Sequence, residues 1–151
     1  MTNDFSKREE WHRMCKDARV VIRHMEISSD MDLCDGRGPH RWYVYAYVYN
    51  LHHLFPLLPT DSLRQLPLRD MPLHCGVCFV THHWDSTGET CGCVQVGCDY
   101  NHLWDEKFTR AEHSKEVFSD ARILVDWLDN YEIPPQTLEQ RYTPTTSTGN
   151  E

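Results

Sequence analysis

The stretch from Cys98 to Asp105 places two carboxylates and an imidazole directly after a run of valine, cysteine and glycine that ends like a strand. Polar groups at a strand end lie where a rigid sheet meets a loop, a position that suits binding or catalysis. Imidazoles and carboxylates together are the usual ligands of Zn, Mn or Fe, and such a metal polarises water or a phosphoryl oxygen. The stretch therefore predicts a polar site without naming a reaction.

Five residues along the chain make up a candidate His/Asp site. They are His53, His74, Asp99, His102 and Asp105. The predicted metal ligands among them are His53, His74, Asp99 and His102. We predict that Asp105 and His102 act in catalysis, with Asp105 either orienting a ligand or serving as general base. The expected reaction is metal-assisted hydrolysis with zinc as the metal, and a small polar ligand bound without metal is the alternative.

Four cysteines offer another candidate metal site. Cys75 and Cys78 precede Cys91 and Cys93 in a pattern that resembles two halves of a thiolate zinc site. The second half is one residue too short, and in an extended strand Cys75 and Cys78 would face opposite sides. We therefore favour the interpretation that these cysteines are packed thiols. Nucleophilic catalysis by a cysteine beside a histidine stays open.

The elements that would position these residues are mostly strands. From Arg41 to Tyr49, tryptophan, valine and alanine alternate with four tyrosines at a period of two, which predicts a central strand. Ranges 18–27, 74–81 and 91–99 predict three further strands, and a turn with Asp, Ser and Gly joins the last two as a hairpin. Four prolines between residues 51 and 73 exclude a long regular element there.

A long helix is predicted from Thr109 to Asn130, because apolar residues recur there at helical spacing. Its start is either a capping box at Thr109 or an N-cap at Ser114. We expect an α+β fold, a single domain with a mostly antiparallel sheet of four or five strands and this helix on one face. The predicted organisation is an N-terminal helical segment over 1–17, a single domain over 18–133 and a flexible tail over 134–151.

Composition limits the classes of partner. The chain has 151 residues, seven cysteines and a formal net charge of −8. This charge disfavours generic nucleic-acid binding, which needs clustered Lys and Arg, but leaves open an acidic surface that imitates a polyanion. No apolar run approaches the roughly 20 residues of a membrane span. Because the first ten residues lack a signal pattern, we expect a cytoplasmic protein whose cysteines are thiols or metal ligands.

Several of these segments keep a recognisable order over residues 41–131. They are Trp42-Tyr43-Val44-Tyr45, His53-Leu54-Phe55, Leu73-His74-Cys75-Gly76-Val77-Cys78-Phe79, and Gly97-Cys98-Asp99-Tyr100-Asn101-His102 with Asp105. The order resembles a family of small uncharacterised proteins common in phages and bacterial mobile elements. That family has Trp-Gly-Tyr-Val, Gly-His-Pro-Leu, His-Gly-Gly-Leu-Thr-Phe and Asp-Cys-Ala-His-Ala-Gly-Asp segments.

The resemblance adds weight to the His/Asp site, since its five residues fall on the family's polar positions. Cys75 departs from the family pattern, which has a glycine there, and Leu103-Trp104 replaces alanine and glycine. A phage accessory protein that interferes with host defence is the function that this implies, with a small polar ligand or a host protein as partner. The alternative is a non-catalytic inhibitor that sequesters a nucleotide signal or blocks a host protein through its acidic surface.

Overall fold

The protein is built on an antiparallel sheet of five strands with one long helix near the C-terminal end. The computed structural model describes residues 7–27, 37–58 and 68–132. The strands are β1 (Lys7–Cys15), β2 (Ala18–Glu26), β3 (His40–Tyr49), β4 (Phe79–Trp84) and β5 (Cys91–Asp99), in the spatial order β1-β2-β3-β5-β4. A short helix α1 (Glu106–Thr109) precedes the long helix α2 (Lys115–Asp129). The predicted α+β class with an antiparallel sheet is confirmed.

The alternation of β3 separates the two faces of the sheet. Val44, Ala46 and Val48 are buried in the apolar core, to which α2 also contributes its buried residues. Tyr43 and Tyr47 are only partly buried on the opposite face, where Arg19 of β2 lies 4.9 Å from the centroid of the Tyr47 ring. The predicted central strand is therefore confirmed, with β2 and β5 as its neighbours.

The long helix begins later than the capping box would place it. Ser114 is the N-cap of α2, and its hydroxyl oxygen accepts a hydrogen bond from the Val117 amide at 3.3 Å. Thr109 instead ends α1, so the predicted continuous helix from Thr109 is wrong over 110–114. The alternative start at Ser114 is confirmed.

The N-terminal segment forms a strand, and the predicted helix is wrong over Lys7–Cys15. These residues pair with β2 along their whole length, from Lys7 opposite Glu26 to Cys15 opposite Ala18. The tight connection is possible because Asp17 adopts a positive φ of 54°. Strand pairing thus overrides the weak helical pattern. The sheet consequently extends across the expected boundary between residues 17 and 18, because β1 before it pairs with β2 after it. The predicted tail over 134–151 lies outside the described residues.

The predicted hairpin is confirmed as β4 and β5, but its first strand starts later than expected. The residues from His74 to Cys78 form a loop before β4 begins at Phe79. Cys75 and Gly76 have φ values of 57° and 86°, which a continuous strand does not allow. In the described part of the chain, no helix is long and apolar enough to cross a membrane.

Candidate functional site

Two histidines meet on a single buried carboxylate. The Nε2 atom of His74 lies 2.8 Å from Asp105 Oδ1, and the Nδ1 atom of His102 lies 2.7 Å from Asp105 Oδ2. Asp105 is only 1% exposed, whereas the side chains of His74 and His102 are 19% and 26% exposed. One carboxylate therefore holds both imidazoles at the protein surface.

The loop after β5 brings these groups together. The amide of His102 donates to Asp105 Oδ2 at 3.0 Å, and the amide of Asp105 donates to the His102 carbonyl at 2.9 Å. Asp105 then precedes α1, where its carbonyl accepts from the Phe108 amide at 2.8 Å. Local hydrogen bonds thus fix His102 against Asp105, while His74 arrives from the loop before β4.

Aromatic rings fix the orientation of both imidazoles. His74 stacks on Tyr100 with 4.2 Å between ring centroids and meets the edge of Phe108 at 5.4 Å. Tyr100 is fully buried, and its hydroxyl donates to Asp120 Oδ2 at 2.6 Å. Trp104, which is 69% exposed, stacks on His102 at 5.0 Å. The imidazoles are therefore held by packing as well as by hydrogen bonds.

Asp105 also determines which ring nitrogen of each histidine keeps a lone pair that could bind a metal. Burial disfavours its charge, but hydrogen bonds from the His102 amide and from both imidazoles outweigh burial and hold the pKa of the carboxyl below its usual range. Because a carboxylate only accepts, each bonded nitrogen carries a proton. A neutral ring then keeps its lone pair on the other nitrogen, which is Nδ1 of His74 and Nε2 of His102.

Cys75 completes a group that the His/Asp prediction missed. One ligand atom from each of His74, Cys75 and His102 lies within 4.8 Å of the other two. Zinc bonds of about 2.0–2.3 Å need tetrahedral ligand atoms roughly 3.5 Å apart, so a small closure of the side chains would fit the ion. The sequence indicates Cys75 as a ligand in two ways, through its spacing to Cys78 and through its position directly after His74.

The backbone at Cys75 is strained. Its φ of 57° lies in the left-handed region, where a residue with a Cβ is disfavoured by about 1–2 kcal/mol. Strain of this kind persists where the surroundings impose it, and it is concentrated at functional sites. A glycine at this position would have no such penalty.

Asp99, one of the predicted ligands, lies beside one of the two histidines, His102. Its Oδ1 atom is 3.8 Å from His102 Nδ1, the nitrogen already bound to Asp105. The same carboxylate accepts from the Asn101 amide at 3.1 Å and lies 3.6 Å from the Cys78 thiol. Asp99 therefore approaches the bonded side of His102 rather than its free nitrogen.

His53 lies at the other end of the sheet. It follows β3, whose last residue Tyr49 pairs with Cys93, whereas Asp99 pairs with Tyr43. The strand from Tyr43 to Tyr49 spans roughly 20 Å. His53 is exposed and lines a separate pocket with the β1–β2 turn and the end of α2. The structure therefore does not bring His53 together with the other four predicted residues.

The remaining described cysteines do not form the thiolate site that their spacing suggested. Cys98 is 2% exposed, and burial raises the pKa of its thiol to about 12. Burial likewise raises the pKa of the Cys78 and Cys93 thiols. Among the cysteines in the described part of the chain, only Cys75 belongs to a group of three or more potential metal ligands. Cys75 and Cys78 are exposed and Cys91 and Cys93 are half-buried, so the interpretation as packed thiols is wrong for Cys75 and Cys78.

Comparisons with protein families, curated proteins and solved structures find no match to this chain. The resemblance to phage and mobile-element proteins consequently stays a prediction.

Proposed function

We propose that the protein binds a divalent metal, zinc in particular, through His74, Cys75 and His102. What supports this proposal is the convergence of two imidazoles and a thiol within 4.8 Å at a partly exposed position. Two nitrogen ligands and one sulfur ligand suit zinc, and the softness of the thiolate argues against magnesium or calcium.

In this proposal Asp105 is a positioning residue. Histidine ligands of zinc commonly donate their second ring proton to a carboxylate, which fixes the ring and raises its basicity. Asp105 accepts from both histidines in this way, with Oδ1 bonded to His74 and Oδ2 bonded to His102. Because Asp105 is also only 1% exposed, a substrate does not reach it directly, and we assign the general-base role to another group, such as the partly exposed Asp99.

Three protein ligands leave the fourth position of a tetrahedral ion open, which is the arrangement of catalytic zinc sites. An ion held by His74, Cys75 and His102 would activate a bound water near neutral pH, so metal-assisted hydrolysis of a small polar substrate is the reaction that we propose. With the family resemblance as further support, we propose a cytoplasmic accessory enzyme of phage type, folded as a single domain that includes β1.

The first test is the metal content of the purified full-length protein, measured by mass spectrometry after expression in zinc-supplemented medium. We expect one zinc per chain, and loss of it in His74→Ala and His102→Ala. The matched control is His53→Ala, which removes an exposed histidine elsewhere and should retain the metal. A protein without stoichiometric zinc, whose melting temperature is also unchanged by a chelator, would contradict the proposal.

A further inference from the structure

A groove outside the metal site runs between the edge strand β1 and the helix α2. It consists of two adjoining cavities of about 440 and 220 Å³, which share Trp11, Phe118 and Arg122 as common lining residues. We refer to these two cavities together as the aromatic groove. The larger cavity falls within the range of small-molecule sites, which is roughly 300–1,000 Å³.

Three aromatic rings line the larger cavity. Trp11 and Trp42 are nearly parallel, with ring centroids 6.1 Å apart and planes inclined by 16°. Phe118 stands at 74° to both of them, at centroid distances of 5.1 and 6.2 Å. Trp42 is buried and fixed, because its Nε1 donates to the Ala111 carbonyl at 3.0 Å, whereas Trp11 is 38% exposed. This arrangement offers a preformed platform on which a planar ring can stack.

The charged residues that line the aromatic groove are cationic, and Glu9, two residues before Trp11 on β1, has its carboxylate 2.9 Å from His24 Nδ1. Arg13, Lys115 and Arg122 line its two cavities, and no carboxylate residue does. Within the described part of the chain, Lys115 and Arg122 form no ion pair or hydrogen bond through their side chains. The first turn of α2, beginning at Lys115, adds the partial positive charge of a helix N-terminus. This concentration of positive charge stands out in a chain whose net charge is −8.

We infer that the aromatic groove binds a nucleoside phosphate, with the base stacked on Trp11 and the phosphate at Arg122 and Lys115. A planar ring joined to an anion is the ligand that aromatic walls beside unpaired cations fit. A nucleic-acid strand is disfavoured, because the acidic chain would repel a polyanion beyond the groove. This binding site shares no residue with the proposed zinc site, and each can exist without the other.

Isothermal titration of the full-length protein with AMP, GMP, CMP and UMP tests the inference, with adenosine, guanosine and inorganic phosphate as partial ligands. We expect at least one nucleotide to bind with one-to-one stoichiometry and more tightly than its nucleoside or phosphate. Trp11→Ala should weaken binding about ten-fold through lost stacking, and Arg122→Ala by a similar factor. The matched controls Trp84→Ala and Arg110→Ala, which change exposed residues elsewhere, should leave the affinity unchanged.

Several results would overturn the inference. They are the absence of binding by all four nucleotides at millimolar concentration, equal binding of inorganic phosphate, and tighter binding of a ten-nucleotide single strand than of any mononucleotide. Binding that survives Arg122→Ala but disappears in His102→Ala would place the ligand at the metal site instead. Arg122 is exposed on α2, so its replacement keeps the test decisive even where Trp11→Ala fails to fold.

Discussion

Replacing Cys75 with glycine should change stability in opposite directions without and with zinc. Without metal, glycine removes the penalty of roughly 1–2 kcal/mol that a side chain incurs at a φ of 57°. Part of this gain is offset, because glycine loses about 0.5–1 kcal/mol more conformational entropy on folding. Cys75 is exposed, so the change sacrifices little buried surface. We therefore expect the metal-free Cys75→Gly variant to be about 0.5–1 kcal/mol more stable than the wild type.

With zinc the order should reverse. A metal that binds only the folded protein stabilises it by about 2.7 kcal/mol when its free concentration is one hundred times Kd. The wild type should gain this stabilisation, whereas Cys75→Gly, which lacks the thiolate, should gain much less. On addition of zinc, the wild type is therefore expected to become more stable to unfolding than Cys75→Gly.

The assay is urea unfolding followed by circular dichroism, in a non-chelating reductant, once with a chelator and once with excess zinc. Cys75→Ala is the matched control, since it removes the thiolate but keeps a Cβ at the strained position and should show no gain without metal. Two results would refute the reasoning. A metal-free glycine variant less stable than the wild type would disprove the strain, and equal stabilisation of both proteins by zinc would disprove the thiolate ligand.

Four further outcomes are expected. Asp105→Asn should weaken zinc binding by about 10- to 100-fold in competition with a chromophoric chelator, because an amide cannot accept from both imidazoles; unchanged affinity would mean that the carboxylate does not position the ligands. In the same assay His53→Ala should match the wild type, and a large loss would contradict its placement at the opposite sheet end. Ser114→Ala should lower the free energy of unfolding by about 1 kcal/mol through loss of the α2 N-cap, and an unchanged value would argue against that cap. Iodoacetamide at pH 8 should leave Cys98 unmodified in the folded protein, because its raised pKa of about 12 keeps it a thiol, and rapid labelling would refute its burial.

Much of the fold could be predicted from local patterns. The tyrosine alternation of β3, the turn residues between β4 and β5 and the apolar spacing of α2 all reflect short-range chemistry. The strand β1 could not be predicted in this way, because its charged sequence has little strand pattern of its own and becomes a strand by pairing with β2. Pairing of this kind depends on residues further along the chain.

The candidate site could be predicted only where its residues are close together in the sequence. His102 and Asp105 are close in sequence, and local hydrogen bonds join them. The approach of His74 depends on a loop path that spacing does not reveal, and the exclusion of His53 follows from the direction of β3 in the sheet. The sequence predicts a strand over 74–81, in which the side chain of Cys75 would point away from that of His74. The positive φ of Cys75 that breaks this strand has no signature in the residue type.

The most direct test of the proposed zinc site is X-ray absorption spectroscopy at the zinc edge of the purified full-length protein. We expect one sulfur neighbour at about 2.3 Å and two imidazole nitrogens at about 2.0–2.1 Å, with a light atom in the fourth position. The sulfur contribution should disappear in Cys75→Ala. A zinc environment without sulfur, or one unaltered in Cys75→Ala, would contradict a centre formed by His74, Cys75 and His102.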